Sequence, residues 1–283
     1  MAATAQHSPI LDLFRALRPN QWTKNGILLA AFMFGYWDAS QQVTLVPSLM
    51  RIIPGVALFC LASSSIYLMN DVRDRAADRA HPTKRFRPIA AGKVNVPTAL
   101  VASLLLILFV IAGAWVLDPR FLGVVLAYLL LQIVYSLLLK RIALVDVFVI
   151  ACGFVPRAIA GAIAASVTIS PWLLLCTFLL ALFLALCKRR HEKTILAGDN
   201  GEHRASLDQY DTQLLNQLIA VVSSATIVSY ALYTLWPDTV EKFGTSMLGF
   251  TIPFVMFGIF RYLDLVYRHE KGERPERILL TDI

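Results

Sequence analysis

Apolar residues in this chain do not alternate with polar ones. They run together in blocks of about twenty, separated by short hairpins or by long polar segments. Blocks of that length match the roughly 20 residues that a helix needs to cross the hydrocarbon of a bilayer. Seven are clear, at 52–69, 97–117, 121–139, 142–166, 169–187, 214–236 and 246–267. An eighth, at 21–37, is weaker. Its apolar part, Gly26 to Trp37, is short, and its first turn carries Gln21, Lys24 and Asn25, so it is expected to line a cavity rather than face lipid. The pattern predicts an all-α, polytopic transmembrane bundle of about eight spans, in one membrane-embedded domain over 1–283. Hairpins at Asp118-Pro119-Arg120 and Ser166-Val167-Thr168 join spans on one side. Two long polar loops, about 70–96 and 188–211, follow the second and sixth spans on the other. The chain therefore divides into two halves of four spans in parallel orientation, and a site between the two loops is the economical arrangement, since polar sites in membrane folds lie where repeats meet.

Composition agrees with this pattern: 57% of residues are hydrophobic and 16% charged, more apolar surface than a soluble core can use. The formal net charge of +7 raises the question of nucleic acid, but the placement of the cations answers it. With a cytoplasmic N-terminus, 21 of the 26 Lys and Arg fall on the cytoplasmic side; Arg51, Arg120 and Lys242 lie outside, and Arg157 and Arg261 fall within spans. This is the asymmetry of the positive-inside rule. It predicts a multi-pass protein of the inner (cytoplasmic) membrane with both termini and the polar loops in the cytoplasm, and no nucleic-acid partner. Met1 to Pro9 has neither the basic start nor the apolar stretch of a signal peptide. Cys60, Cys152, Cys176 and Cys187 sit in or at the end of apolar spans without close pairing, as small buried residues rather than disulfides or metal ligands.

The sharpest chemical signal is Asn70-Asp71-Val72-Arg73-Asp74-Arg75-Ala76-Ala77-Asp78, whose carboxylates stand three and then four residues apart and share one face of a helix. Like charges so close repel unless a cation sits between them. Asp71, Asp74 and Asp78 are therefore candidate ligands of a hard divalent metal, Mg²⁺ shared with substrate phosphates. Arg79, Lys84, Arg85 and Arg87 follow directly, and an acidic stripe beside a basic cluster suits a metal-bridged diphosphate whose outer oxygens still need donors. The simpler alternative is a solvated juxtamembrane face whose Asp and Arg residues pair. Against it, Asn70 and Asp71 directly continue an apolar span, where bare carboxylates are expensive.

The string Asn70-Asp71-x-x-Asp74-x-x-x-Asp78, followed by His81-Pro82-Thr83-Lys84-Arg85-Phe86-Arg87-Pro88-Ile89-Ala90-Ala91-Gly92, resembles the UbiA superfamily of intramembrane prenyltransferases. Within it, the chain is most similar to the branch that places phosphoribose on decaprenyl phosphate for arabinose donors and cell-envelope glycans. Further resemblance to that branch lies in Arg18-Pro19-Asn20-Gln21-Trp22-Thr23-Lys24-Asn25, in Gly153 to Gly161, and in Ser206-Leu207-Asp208-Gln209-Tyr210. Two features depart from the superfamily. The later loop offers Lys188-Arg189-Arg190-His191-Glu192 and Asp208-Gln209-Tyr210-Asp211 in place of a second Asp-rich motif, and eight spans are expected where nine are usual.

The resemblance implies 5-phosphoribosyl diphosphate as donor, a polyprenyl phosphate as acceptor and Mg²⁺ as cofactor. Asp71, Asp74 and Asp78 are then the metal-binding and catalytic carboxylates, with Asn70, Lys84, Arg85 and Arg87 beside the donor. Lys24 and Asn25 on the first span, and Lys188, Arg189 and Arg204 on the later loop, are candidates for the lipid phosphate or the ribose 5-phosphate. Glu192, Asp208 and Asp211 are candidates for a second metal contact, Tyr210 for a substrate contact. Arg157, mid-span, needs a partner, which is substrate phosphate, Asp146 or a backbone cavity. Lys140 after Tyr135 resembles a Tyr and Lys pair near the superfamily pocket, while on its own it reads as an ordinary loop cation, and His81 reads as shaping the turn before Pro82. Two other functions compete. A UbiA-type enzyme attaching an isoprenoid to an aromatic acceptor would use the same stripe, and a transporter would use Arg157 as a solute site. Transporter sites sit near the bilayer midplane, whereas most ionisable residues here crowd one face. The sequence leaves the oligomeric state open, a homo-oligomer included.

Overall fold

A computed structural model describes residues 8–38, 41, 43–196 and 209–268, and every regular element among them is helical. A short helix α1 (Pro9–Ala16) leads through a 3-10 stretch (Pro19–Ile27) into α2 (Leu28–Tyr36). Next come the long α3 (Leu45–Arg73), a one-turn-and-a-half α4 (Arg75–Ala80), α5 (Val96–Leu117) and α6 (Pro119–Leu137). The second half holds α7 (Val145–Cys152), α8 (Phe154–Ala165), α9 (Pro171–Leu196), α10 (Thr212–Leu235), α11 (Pro237–Phe243) and α12 (Ile252–Arg268).

Seven helical stretches are long and apolar enough to cross a membrane, and they coincide with the seven clear blocks of the sequence. The eighth block takes a mixed form, nine residues of 3-10 helix followed by nine of α-helix. The 3-10 turn rises further per residue, so the pair reaches about 30 Å, near the thickness of the hydrocarbon. The expected 142–166 span is broken into α7 and α8 at Gly153. Pro156 supplies the reason, because it has no N–H for the carbonyl of Cys152. Two bounds also move. α3 continues to Arg73, so Asn70 and Asp71 end a helix rather than open a loop. α9 continues to Leu196, so Lys188 to Glu192 are helical where a loop was expected; this run contains good helix formers and an i,i+3 ion pair between Arg189 and Glu192.

The apolar interior has two main parts. One is built by α2, α3, α5, α6 and α8 around Phe59, Phe121 and Val125; the other by α7, α9, α10 and α12 around Phe183, Leu215 and Ile219. The broken span thus gives one piece to each half. α8 meets α2 at Gly161 and faces Gly55 of α3 with Ala164, small residues that let backbones approach in a membrane. A Cβ on Gly161 would stand 2.0 Å from the carbonyl oxygen of Leu28, too close for anything but a backbone shift. Gly161→Ala is therefore expected to lower the melting temperature of the detergent-solubilised protein by about 5 °C or more. An unchanged melting curve would show that α2 does not sit on α8.

A third, smaller cluster forms where Ile89 and Val94 of the first loop pack on Ala16, Leu68 and Ala99. The loop is thereby folded onto the helix ends, with Gly92 in the left-handed region at φ 76°. Arg73 closes the neighbouring end of α6, donating to the carbonyls of Ser136 at 2.6 Å and Leu137 at 3.3 Å.

Candidate active site

The backbone ladder passes almost unbroken through the acidic stripe. The amide of Asp74 donates to Asn70 and that of Asp78 to Asp74, both at 2.8 Å, with only Asp74 leaving helical geometry between α3 and α4. Asp71 and Asp78, seven residues or two turns apart, therefore stay on one face, while Asp74 is rotated away. Both are buried, at 2% and 4% exposure. Arg87 joins them: its Nη1 lies 3.4 Å from Asp71 Oδ1 and 2.7 Å from Asp78 Oδ2. Asp71 is also gripped by Arg18 through Nη2 and, at 3.3 Å, through Nε. Asp74 answers to Lys140, whose Nζ lies 2.8 and 3.0 Å from its two oxygens.

Sequence reasoning thus missed two residues of this site. Arg18 was one cation among many, although it opens the Arg18-Pro19-Asn20-Gln21-Trp22 string. Its φ of 57° is left-handed, and its guanidinium lies over the ring of Tyr67 at 5.2 Å. Ser64 ties the following segment down, donating to Leu17 O at 2.8 Å and accepting from Trp22 Nε1 at 3.0 Å. Lys140 is not an ordinary loop cation, since it pairs with Asp74 across 66 positions of sequence. The signal for it lay in the resemblance rather than in its own loop.

Lys188 and Glu192 of α9 come within electrostatic reach of Lys84 in the first loop. Burial first, then repulsion from Arg87 and Lys188, lowers the pKa of Lys84, against the attraction of Asp78 and Glu192. That set of neighbours joins the first loop to α9, although the outer side of Lys84 reaches solvent. Arg189 is buried and paired with Glu192; its Nε stands 3.5 Å from Asp146 Oδ2 without hydrogen-bond alignment. Lys24, Asn70 and Lys188 are half-buried. Arg85 turns outward over the exposed ring of Phe86, at 4.9 Å.

Several candidates take internal partners. Asn25 is fully buried, and its Oδ1 accepts from Arg157 Nε at 2.7 Å. Arg157 also donates to Gly153 O and, at 2.9 Å, to Tyr128 OH, with its guanidinium over the rings of Tyr128 and Phe154. These partners are neutral, and Asp146 is engaged elsewhere: it accepts from Tyr210 OH at 2.6 Å. Tyr210 accepts in turn from Leu144 N at 2.7 Å. Burial and the contact with Asp146 push its phenol well above the usual range, so it stays a donor. Gln209 bonds Ala143 N and Arg141 O, which makes the pair a clamp on the 139–146 turn. Asp211 caps α10 through Leu214 N. Arg204 and Asp208 lie outside the described residues.

Among the described residues no group of three or more His, Cys, Asp or Glu converges on one point. The pair Asp71 and Asp78 does converge, on Arg87. A carboxylate pair suits Mg²⁺, which takes one or two carboxylates and completes its shell with water and substrate phosphates.

The UbiA prenyltransferase family model matches residues 28–198. Decaprenyl-phosphate phosphoribosyltransferase of Mycobacterium tuberculosis is 36% identical over 275 residues, 96% of this chain and 89% of that protein. The protein of the same name from Mycolicibacterium smegmatis is 36% identical over 288 residues, 96% of this chain and 87% of its own. The structure of a UbiA homolog from Archaeoglobus fulgidus bound to GPP and Mg²⁺ matches with a TM-score of 0.74, at 19% identity over 95% of this chain and 93% of that one. This chain belongs to the UbiA prenyltransferase family and is a multi-pass membrane protein.

Proposed function

We propose that the protein transfers the 5-phosphoribosyl group of 5-phosphoribosyl diphosphate to a polyprenyl phosphate, at the cytoplasmic face of the inner membrane, with release of diphosphate. The relatives, similar over nearly the whole chain, carry the choice of substrates. The observation that carries the chemistry is the meeting of Asp71 and Asp78 on Arg87.

Asp71 and Asp78 would hold Mg²⁺, which supplies charge neutralisation to the departing diphosphate. The bond from the anomeric carbon to the diphosphate oxygen breaks, and the leaving group keeps the electron pair. A lipid phosphate oxygen then forms the new bond to that carbon. Arg18, Arg87 and Lys140 already stand at the carboxylates and donate to phosphate oxygens where the substrate's negative charge gathers. The acceptor is an anion at neutral pH, so no general base is required, and its placement beside the donor is the remaining task. The half-buried Lys24 and Lys188 and the exposed Lys84 are the cations for it and for the ribose 5-phosphate. Purified protein given Mg²⁺, polyprenyl phosphate and labelled 5-phosphoribosyl diphosphate is expected to move label into the lipid fraction. Label confined to the aqueous phase, with prenylation of an aromatic acceptor from an isoprenyl diphosphate, would establish the competing reaction instead.

Lys84 adds a pH signature. Its pKa is depressed in the free protein, and an anionic ligand favours the charged form, so donor binding takes up protons at pH near that depressed pKa. Affinity is expected to fall as pH rises through the depressed pKa, below the ordinary lysine range. Calorimetry in buffers of different ionisation enthalpy measures the uptake, and Lys84→Arg, always charged, is expected to abolish it. Equal uptake in both proteins would remove Lys84 from the donor site.

A further inference from the structure

The end of α3 opposite the carboxylates carries a second polar feature. Arg51 and Asp71 are twenty residues apart on this helix, about 30 Å by its rise. Next to Arg51, α3 and α5 leave a groove of about 610 Å³ between them, walled by Ala57, Leu61, Phe109 and Val116, with Arg51 at one end. The groove lies on the outer surface of the bundle, and Phe109 and Val116 are exposed at 61% and 84%. Gly113 lines it, and a Cβ there would reach within 2.8 Å of Leu58.

The charge at the groove's mouth is unbalanced. Arg51 donates through Nη1 to Ser166 Oγ at 3.0 Å, and its Nη2 stands 3.5 Å from Asp118 Oδ2. Arg120 Nη2 lies 3.1 Å from the same oxygen. Hydrogen bonds from Arg120, followed by the charge of Arg51, hold the Asp118 carboxyl below its usual range, so it is ionised at neutral pH. Two guanidiniums share one carboxylate, and one positive charge is left over. Cations are scarce on this side of the bundle: among the described residues it holds Arg51, Arg120 and Lys242, and two of the three meet here.

We propose that this groove binds a membrane lipid with an anionic headgroup, its phosphate at Arg51 and Arg120 and one acyl chain along the apolar wall. A zwitterionic lipid brings its own ammonium and gains nothing net from the leftover charge. The assignment is independent of the transferase reading, because none of these residues belongs to the carboxylate site.

The test uses the full chain in a neutral detergent, with phosphatidylglycerol and phosphatidylcholine of identical acyl chains, and counts bound lipid by native mass spectrometry. Phosphatidylglycerol is expected to bind about fivefold more tightly, the worth of one cation at a membrane surface. Arg51→Gln combined with Arg120→Gln is expected to erase that preference, and Ala57→Phe, which fills the groove, to reduce binding of both lipids. Monodisperse elution and an unchanged melting curve in the same detergent show that the variants are folded. Should the double variant fail to accumulate, the lipid count of Ala57→Phe decides alone. Equal affinity for the two lipids, or a preference that survives both changes, overturns the proposal. So does a change in oligomeric state on Ala57→Phe with lipid counts intact, which would make the groove a contact between copies.

Discussion

Replacing Asp71 or Asp78 by Asn is expected to lower phosphoribosyl transfer by about a thousandfold, the scale of losing a group that stabilises charge at a leaving oxygen. Two effects compete in such variants. Removing one partner of a buried ion pair costs about 3–5 kcal/mol of stability when the abandoned charge stays dry. Here Arg18 and Arg87 are 26% and 29% exposed, so each recovers part of its hydration, and lost chemistry should outweigh lost folding. Asp74→Asn makes the contrast. Its side chain is 40% exposed and turned to Lys140, and a loss of only about tenfold is expected, close to the worth of a partly hydrated pair. Initial rates at saturating donor, alongside the yield of monodisperse protein, separate the two effects. Equal losses in all three variants would restore a three-carboxylate site, and retained activity in Asp71→Asn and Asp78→Asn would refute the metal assignment.

The second large effect concerns Arg157. Its donors serve Asn25, Gly153 and Tyr128 in three directions, between two aromatic faces. Arg157→Leu leaves a buried amide and a buried phenol each short of a partner, at about 1–3 kcal/mol apiece. Such a loss is a large fraction of a typical folding free energy. The variant is expected to accumulate poorly and to melt at least about 5 °C lower. Arg157→Lys should rescue little, since one ammonium on a flexible stem does not reproduce the planar fork. A normally stable Arg157→Leu with a raised KM for one substrate would instead make this residue a substrate contact.

Much of the architecture was legible because the membrane permits so few solutions. Apolar blocks of span length gave the helices, and the cation asymmetry proposed their sidedness. The break at Gly153 was harder to see, because its cause is the missing N–H of Pro156 within an otherwise continuous apolar block. In the site, spacing predicted a shared face for the carboxylates, but seven residues close two helical turns better than three close one, so Asp71 and Asp78 stayed together while Asp74 swung to Lys140. The partners of Arg18 and Lys140, and the Tyr210–Asp146 clamp, were not legible, since each is a contact between segments more than fifty positions apart. Arg157 advertised itself by its cost in an apolar run. Its remedy, an amide from the first span and a phenol from α6, could be read only from the packed bundle.

Asp71, Asp74 and Asp78 are balanced charge for charge by the Arg18, Arg87 and Lys140 paired with them. A bare dication approaching them would have to displace guanidiniums that then lack any acceptor. In the proposed reaction, a diphosphate arriving with the ion would give those same guanidiniums new oxygens as the carboxylates are released. Loading of the two would then be thermodynamically linked, each raising the affinity for the other, and the pocket would discriminate against either one alone.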